Sequence, residues 1–123
     1  MVDEFDALFV DTAQLDKNLL QEILSSRVKL SAEGRIFYEL DFNPMRKIVL
    51  YLLANKIFVM RKIKSEEAEG PLKISQNAGI AEGTVKAYVR DLEERGLIIG
   101  DKDGKYMVAN SLLPRIKKFI IES

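Results

Sequence analysis

The chain of 123 residues is near the commonest size of a single domain, and its 47% apolar and 31% charged residues are typical of a folded globular protein. It has no cysteine and no histidine, which excludes disulfides, thiolate metal sites and enzymes built on a Cys–His or Ser–His pair. Nineteen basic and nineteen acidic residues cancel, so the strongly basic total that is typical of nucleic-acid-binding domains is absent.

The charge is nevertheless uneven along the chain. Residues 1–40 carry eight acidic and four basic residues, a net charge of −4, whereas residues 41–70 and 71–123 each have a net charge of +2. The acidic start differs from a secretory signal, which is basic, and the apolar stretch at residues 48–60 is too short to span a bilayer. We therefore expect a cytoplasmic protein with no membrane partner.

Residues 1–40 are predicted to form an N-terminal extension made of a helix and a β-hairpin. Thr12 is the predicted N-cap of the helix, and Asp16 lies in its first turn, where a carboxylate is favourable. Leucine and isoleucine then recur at helical spacing. Two alternating stretches, residues 27–30 and 35–40, flank a turn and predict the hairpin.

Asn43 and Pro44 predict the start of a long helix, because asparagine caps helices and proline is favoured at the first position. The helix is predicted to run to about Lys64. Its broad apolar face contains Lys56, and burying an unpaired ammonium group is costly. Lys56 must therefore reach solvent, pair with a carboxylate or mark a bend, and the sequence does not choose between these alternatives.

A second apolar surface of this helix, which includes Ile57 and Phe58, also needs a cover. The sequence leaves two candidates open, namely the N-terminal helix and hairpin of the same chain or a second subunit. The acidic stretch at residues 65–70 follows the helix and is interpreted as a solvated loop.

The most specific pattern follows this loop. Pro71 opens a short helix, Gly79 suits a left-handed helix end, and a second helix is predicted from about Glu82 to Arg95. Two short helices joined by a tight turn that contains glycine form a helix-turn-helix. An Asp-Gly turn between apolar stretches then predicts a hairpin within residues 97–108.

This order of helix, turn, helix and hairpin resembles the winged helix-turn-helix superfamily of transcription regulators. The phrase GIAEGTVKAYVRDLEERGLI is similar to the turn, the recognition helix and the start of the wing in archaeal and bacterial members. The resemblance covers residues 44–108 and implies a mainly α, α+β fold. It places a winged helix domain, which ends in a C-terminal helix, at residues 41–123, after the extension at residues 1–40.

The resemblance implies that the helix at residues 82–95 enters the major groove of double-stranded DNA and that the wing lies on the backbone. At the helix start, backbone N–H groups and the Thr84 hydroxyl suit a phosphate. Lys86 and Arg90 are four residues apart on one face, which suits base edges or phosphates. The residues predicted to contact DNA are Thr84, Lys86, Ala87, Arg90, Lys73, Lys102 and Lys105.

Residues 110–123 are predicted to form a C-terminal helix with an apolar stripe. Terminal helices of this kind pair in dimeric regulators of the superfamily, and packing on the same domain is the alternative. Together with the Ile57 and Phe58 surface of the long helix, this stripe predicts a homodimer.

Three carboxylates lie among the predicted contact residues, those of Glu82, Asp101 and Asp103, and they weaken the positive field there. Winged helices also serve as protein-interaction or assembly modules that do not bind DNA, and the zero net charge keeps this alternative open. No enzyme is expected, because the serines have no G-x-S-x-G context and there is no glycine-rich phosphate loop. No metal or cofactor is predicted.

Overall fold

The computed structural model describes residues 14–121, which form an α+β fold of five helices and two antiparallel hairpins, so the predicted class is confirmed. The helices are α1 (Lys17–Leu24), α2 (Pro44–Met60), α3 (Pro71–Ala78), α4 (Glu82–Glu94) and α5 (Leu113–Ile121). The strands are β1 (Val28–Leu30), β2 (Ile36–Tyr38), β3 (Ile99–Gly100) and β4 (Tyr106–Met107), and a 3₁₀ turn, Asn110–Leu112, precedes α5. Within residues 14–121, no helix is both long and apolar enough to cross a membrane.

The N-terminal helix has a different cap from the one predicted. α1 starts at Lys17, and Asp16 is its N-cap, accepting a hydrogen bond from the Leu19 backbone N–H at 3.0 Å. A carboxylate on a short side chain at the N-cap accepts a hydrogen bond from a backbone N–H group that has no partner inside the helix. The predicted cap, Thr12, lies outside the described residues.

α2 is the centre of the fold because it is buried on all sides. Every residue from Ile48 to Lys56 is buried, and the helix packs against α1, α3, α4, β2 and β4. Its second apolar surface is therefore covered by the same chain. The N-terminal extension packs on α2 through α1 and β2, and Lys64, Glu69 and Asn77 contact Tyr51 from the other parts of the chain. Phe58 is only 1% exposed, so its predicted contact with a second subunit is wrong, whereas Ile57 is half-buried beside a groove.

The C-terminal helix also packs on its own chain. Leu113, Ile116 and Ile120 are buried, and α5 packs against α1. Glu22 of α1 and Lys117 of α5 form an ion pair across this contact, with 2.9 Å between Oε1 and Nζ. The apolar stripe that was predicted to join two subunits is thus used inside the chain, because α1 presents a matching apolar face.

α2 starts at Pro44 after its predicted cap Asn43, but it ends at Met60, short of the predicted Lys64. The chain turns back through Lys62, whose φ of +61° is a left-handed conformation that residues other than glycine rarely adopt. This turn returns Lys64 to the side of α2.

The Lys64 ammonium group is the centre of a largely buried set of hydrogen bonds, which we call the Lys64 cluster. It donates to the Tyr51 hydroxyl oxygen at 2.8 Å, to Asn55 Oδ1 at 2.7 Å and to Glu69 Oε1 at 2.7 Å. The Tyr51 hydroxyl donates to Glu69 Oε2 and accepts from Asn77 Nδ2 at 2.8 Å. The Lys64 cluster therefore fastens α2 to the following loop and to α3.

Lys56 is accommodated by pairing with a carboxylate, one of the three alternatives. Its side chain is 2% exposed, and its ammonium group donates to Glu67 Oε2 at 2.6 Å and to Asn110 Oδ1 at 2.7 Å. Because Glu67 and Glu69 bind ammonium groups, the interpretation of residues 65–70 as a solvated loop is wrong. These carboxylates are held beside the ammonium groups because a buried ammonium group without a partner is costly.

We expect Glu67→Ala to lower the free energy of unfolding by about 3 kcal/mol, because it leaves the buried ammonium group of Lys56 without a carboxylate. Lys56→Met should cost about 1 kcal/mol, because the remaining Glu67 side chain is partly exposed and can turn to water. Urea unfolding followed by circular dichroism measures both losses. A larger loss for Lys56→Met than for Glu67→Ala would contradict this account of the pair.

Two phenols, the buried one of Tyr51 and the half-buried one of Tyr38, predict a pH dependence. Burial, and then the Glu69 carboxylate, raise the pKa of Tyr51, and burial raises the pKa of Tyr38, whose hydroxyl donates to the Lys47 carbonyl oxygen at 2.8 Å. Since both values are raised on folding, their contribution to stability is complete below about pH 10 and is lost as the pH rises through the folded pKa.

Two of the four tyrosines should therefore ionise above their ordinary range, as the protein unfolds in alkali. Absorbance at the tyrosinate band during a pH titration measures this late step. Tyr51→Phe should remove half of its amplitude, and an unchanged late step in that variant would contradict the assignment.

Candidate nucleic-acid interface

α3 and α4 meet at a tight turn that Gly79 and Ser75 define. Gly79 follows α3 with φ +71° and ψ 41°, a left-handed conformation that glycine adopts without strain. The Ser75 hydroxyl donates to the Ile80 carbonyl oxygen at 2.5 Å across the turn, and α4 begins two residues later at Glu82. The turn thus fixes the orientation of α4 relative to α3.

α4 buries one face and exposes the other. The buried residues are Val85, Val89 and Leu92, and the helix packs against α2 and α3. Four of the predicted contact residues lie on this helix. Lys86, Ala87 and Arg90 are exposed, and Thr84 is half-buried. The structure therefore places these four side chains away from the centre of the core.

The first turn of α4 has no side-chain cap, because its N-cap is Ala81. Gly83 lies exposed in this turn, and a Cβ atom built on it meets no atom within 4 Å. Glycine lowers helix stability, and no packing contact among the described residues requires it here. The start of α4 is thus open to close approach by another molecule, with the Glu82 carboxylate beside it.

The two basic residues of α4, Lys86 and Arg90, both lie on its exposed face. Lys86 pairs loosely with Glu82, with 3.7 Å between Nζ and Oε2, and 60% of its side chain stays exposed. Arg90 is exposed and makes no ion pair with any residue in the described part of the chain.

Two of the three acidic residues near the end of α4, Asp91 and Glu93, are engaged within the chain. Asp91 Oδ1 lies 3.2 Å from Arg95 Nε, and Glu93 Oε2 accepts a hydrogen bond from the Gly100 N–H at 3.1 Å. A Cβ atom at Gly100 would lie 2.8 Å from the Glu93 oxygen and 3.0 Å from the Tyr106 ring, so a larger residue there would shift the Glu93 side chain. These carboxylates therefore have partners other than the two basic residues of the helix.

The turn of the β3–β4 hairpin is closed by Asp101. Its Oδ1 accepts hydrogen bonds from the N–H groups of Lys105 at 3.0 Å and Asp103 at 2.8 Å, and these bonds lower the pKa of the Asp101 carboxyl. The carboxylate is thus part of the turn itself. Lys102 is exposed at the tip and makes no ion pair with a described residue.

Lys105, by contrast, is already paired. Its Nζ lies 2.5 Å from Glu66 Oε1, and this hydrogen bond raises the pKa of the Lys105 amine. Local patterns in the sequence do not reveal this pair, because its members are 39 positions apart. Lys73 on α3 is exposed, and Lys73, Lys105 and Glu66 line one polar cleft. The structure therefore brings the two lysines to the same cleft, but the Lys105 amine is already paired with Glu66.

Sequence reasoning misses Glu69, which anchors the hairpin. The Glu69 N–H donates to the Tyr106 carbonyl oxygen at 3.1 Å, and the Tyr106 N–H donates to the Glu69 carbonyl oxygen at 2.8 Å. The Glu69 side chain belongs to the Lys64 cluster, so a single residue connects the hairpin to α2 and α3. Its one sequence signal, an acid before Gly70, is the same as that of a solvated loop residue.

Comparison of the chain with protein families, with curated proteins and with solved structures finds no match. Within residues 14–121, no group of three or more histidine, cysteine or acidic residues is placed to hold a metal ion. The candidate interface is thus defined by its own geometry, which is an exposed helix face with two basic residues, together with a small anchored hairpin.

We expect Gly83→Ala to raise the free energy of unfolding by about 0.5 kcal/mol, because alanine favours the helix and its methyl group meets no described atom. Gly96→Ala is the control and should lower it, since its φ is +74° and a Cβ atom would lie 3.1 Å from the Arg115 guanidinium. Thermal unfolding measures both changes. A destabilised Gly83→Ala protein would mean that the fold itself requires this glycine.

Proposed function

We propose that this protein is a DNA-binding transcription regulator of the winged helix-turn-helix type. In this proposal, α4 enters the major groove of double-stranded DNA and the β3–β4 hairpin lies on the adjacent backbone. The observation that carries the proposal is the exposed face of α4, where Lys86 and Arg90 lie while the opposite face packs on α2 and α3. A rigidly held helix presents its side chains to a groove without having to reorder.

The order of elements supports this proposal. α2, α3, α4 and the hairpin follow one another in the order that the winged helix resemblance implies, and the pairing of Glu69 with Tyr106 adds a short third segment to the hairpin. The N-terminal extension supplies α1, which packs against α2 and α5 and so shares the core of the proposed domain.

Each side chain of the α4 face has a role in the proposed complex. Arg90 and Lys86 contact base edges or phosphates, and the Ala87 methyl group packs against a thymine methyl group. The uncapped first turn and the Thr84 hydroxyl bind a phosphate, and Gly83 leaves room for the sugar-phosphate backbone to approach.

The remaining lysines contact the flanking backbone. Lys73 on α3 and Lys102 at the hairpin tip are exposed and make no ion pair with a described residue, so their charges are available to phosphates. Lys105 contributes only after its pairing with Glu66 is broken.

We expect Arg90→Ala to weaken binding to a selected duplex by about 1–3 kcal/mol and to relax sequence preference, because arginine contacts a base edge in this proposal. A duplex recovered from a random library and fluorescence anisotropy provide the measurement. Arg95→Ala is the matched control, since Arg95 lies just after the same helix in an exposed pair with Asp91 and should leave the affinity unchanged. Equal affinities for Arg90→Ala and the unaltered protein would contradict the role of α4.

Glu66→Gln should increase DNA affinity, because it removes the carboxylate that occupies the Lys105 amine. It should also steepen the dependence of log K on log salt by about 0.9, the value for one additional neutralised phosphate. Affinity series at several salt concentrations measure both effects.

Glu22→Gln is the control for this change, because it also removes one carboxylate and releases one lysine, Lys117, but between α1 and α5. It should leave the salt slope unaltered. If the two variants gained the same affinity, net charge and not the hairpin lysine would explain the gain.

A protein-interaction or assembly module that does not bind DNA is the second candidate function. The observation that favours it is the pairing of Lys86 and Lys105 with carboxylates, in a chain of zero net charge. Salt dependence separates the two functions, since a DNA binder loses affinity steeply and linearly in log salt. Absence of duplex binding at low salt would favour the interaction module.

The predicted homodimer stays a prediction, with a smaller surface to support it. The buried stripe of α5 and Phe58 are used within the chain. What remains of the predicted surface is Ile57, which is half-buried, and the outer side of α5, where Ile121 is partly exposed. Sedimentation equilibrium measures the state of association. A cytoplasmic location is part of the same proposal, because a transcription regulator must reach the DNA.

A further inference from the structure

An apolar groove of about 620 Å³ runs between α1, β1 and the end of α2. The apolar residues that line it are Leu20, Leu24, Val28, Leu30, Ile57 and Met60. The residues from α1 are buried, whereas 43% of the Met60 side chain is exposed. Apolar surface of this kind is covered favourably by another apolar group.

Two cations that make no ion pair within residues 14–121 accompany this apolar lining. A smaller cavity of about 420 Å³ continues the groove and shares Leu30, Ile57 and Arg61 with it. Lys17 at the start of α1 and Arg61 just after α2 both line the groove, and neither makes an ion pair with a described residue. The groove therefore suits a segment that is both apolar and acidic.

We propose that residues 1–13 of the same chain bind in this groove. The segment contains four acidic residues and no basic residue, so its charge is complementary to Lys17 and Arg61. It also carries large apolar side chains, and these suit the apolar lining of the groove. They are Phe5, Leu8, Phe9 and Val10.

The length and position of the segment allow it to reach the groove. Residue 13 lies four positions before Lys17, which itself lines the groove. The eight residues of α1 span about 12 Å. A segment of 13 residues spans about 20 Å as a helix and about 43 Å when fully extended. The chain is long enough to reverse at residues 14–16 and run back along α1.

A covalent connection also favours this occupant over a free partner. A short tether raises the local concentration of the segment to about the millimolar range, so weak apolar and ionic contacts are enough to keep it bound. The inference does not depend on DNA binding, because the groove shares no residue with the predicted DNA contacts.

The absence of cysteine makes a paramagnetic NMR experiment on the full chain direct. Gln21 is exposed and lines the groove, and Gln76 is exposed on α3. With a nitroxide on Gln21→Cys, we expect the amide signals of residues 5–10 to lose most of their intensity. With the nitroxide on Gln76→Cys, the same signals should keep it. Full intensity in the Gln21→Cys protein would overturn the proposal.

A mixed sample tests whether the segment binds its own chain. Spin-labelled protein at natural isotope abundance is mixed with ¹⁵N-labelled protein that carries no spin label. We expect the signals of residues 5–10 to be unaffected in this mixture. Equal broadening in the mixture would overturn the proposal in favour of a second copy of the chain as the source of the segment.

Met60→Glu tests whether the groove is the binding site, because it adds a carboxylate that repels the acidic segment. In the protein labelled at Gln21→Cys, it should restore the signals of residues 5–10. Leu72→Glu is the control, since Leu72 is similarly exposed, at 53%, on α3, and it should leave the broadening unchanged. Persistent broadening in Met60→Glu, or restoration by Leu72→Glu, would contradict the assignment to the groove.

Discussion

The arrangement of this fold depends on the Lys64 cluster. Tyr51 and Asn55 of α2, Asn77 of α3 and the carboxylate of Glu69 meet around one ammonium group, each within hydrogen-bond distance of another member. A charged pair in a largely buried position stabilises a structure only when its remaining hydrogen bonds are also made. The positions of α2, α3 and the hairpin are thus set together, and the orientation of α4 follows from them.

Much of the fold could be predicted from sequence because its signals are local. The Asn43-Pro44 helix start, the left-handed Gly79 and the Asp-Gly hairpin each depend on the conformational preference of one or two residues. The partners of Lys56 could not be predicted in the same way. Periodicity identifies the face on which a residue lies, but Glu67 and Asn110 are brought to that face by the tertiary fold.

The candidate site also has features that local spacing predicts and features that only the tertiary fold sets. Helical spacing alone places Lys86 and Arg90 on the outer face of α4, where they lie. Spacing does not reveal that Lys105 is engaged by Glu66, and it does not reveal that the backbone of Glu69 anchors the hairpin. The strength of the positive field at the proposed interface therefore depends on internal ion pairs, whose energies are small at exposed positions.

The left-handed turn at Lys62 has a consequence for how chain length can vary. The Lys64 side chain reaches its partners only because the chain reverses within the residues after Met60. Residue type at position 62 can change, and glycine would even relieve the backbone strain. One added or deleted residue in this turn would instead point the ammonium group away from Glu69. The spacing between Met60 and Lys64 is thus more constrained than the identity of the residues in the turn.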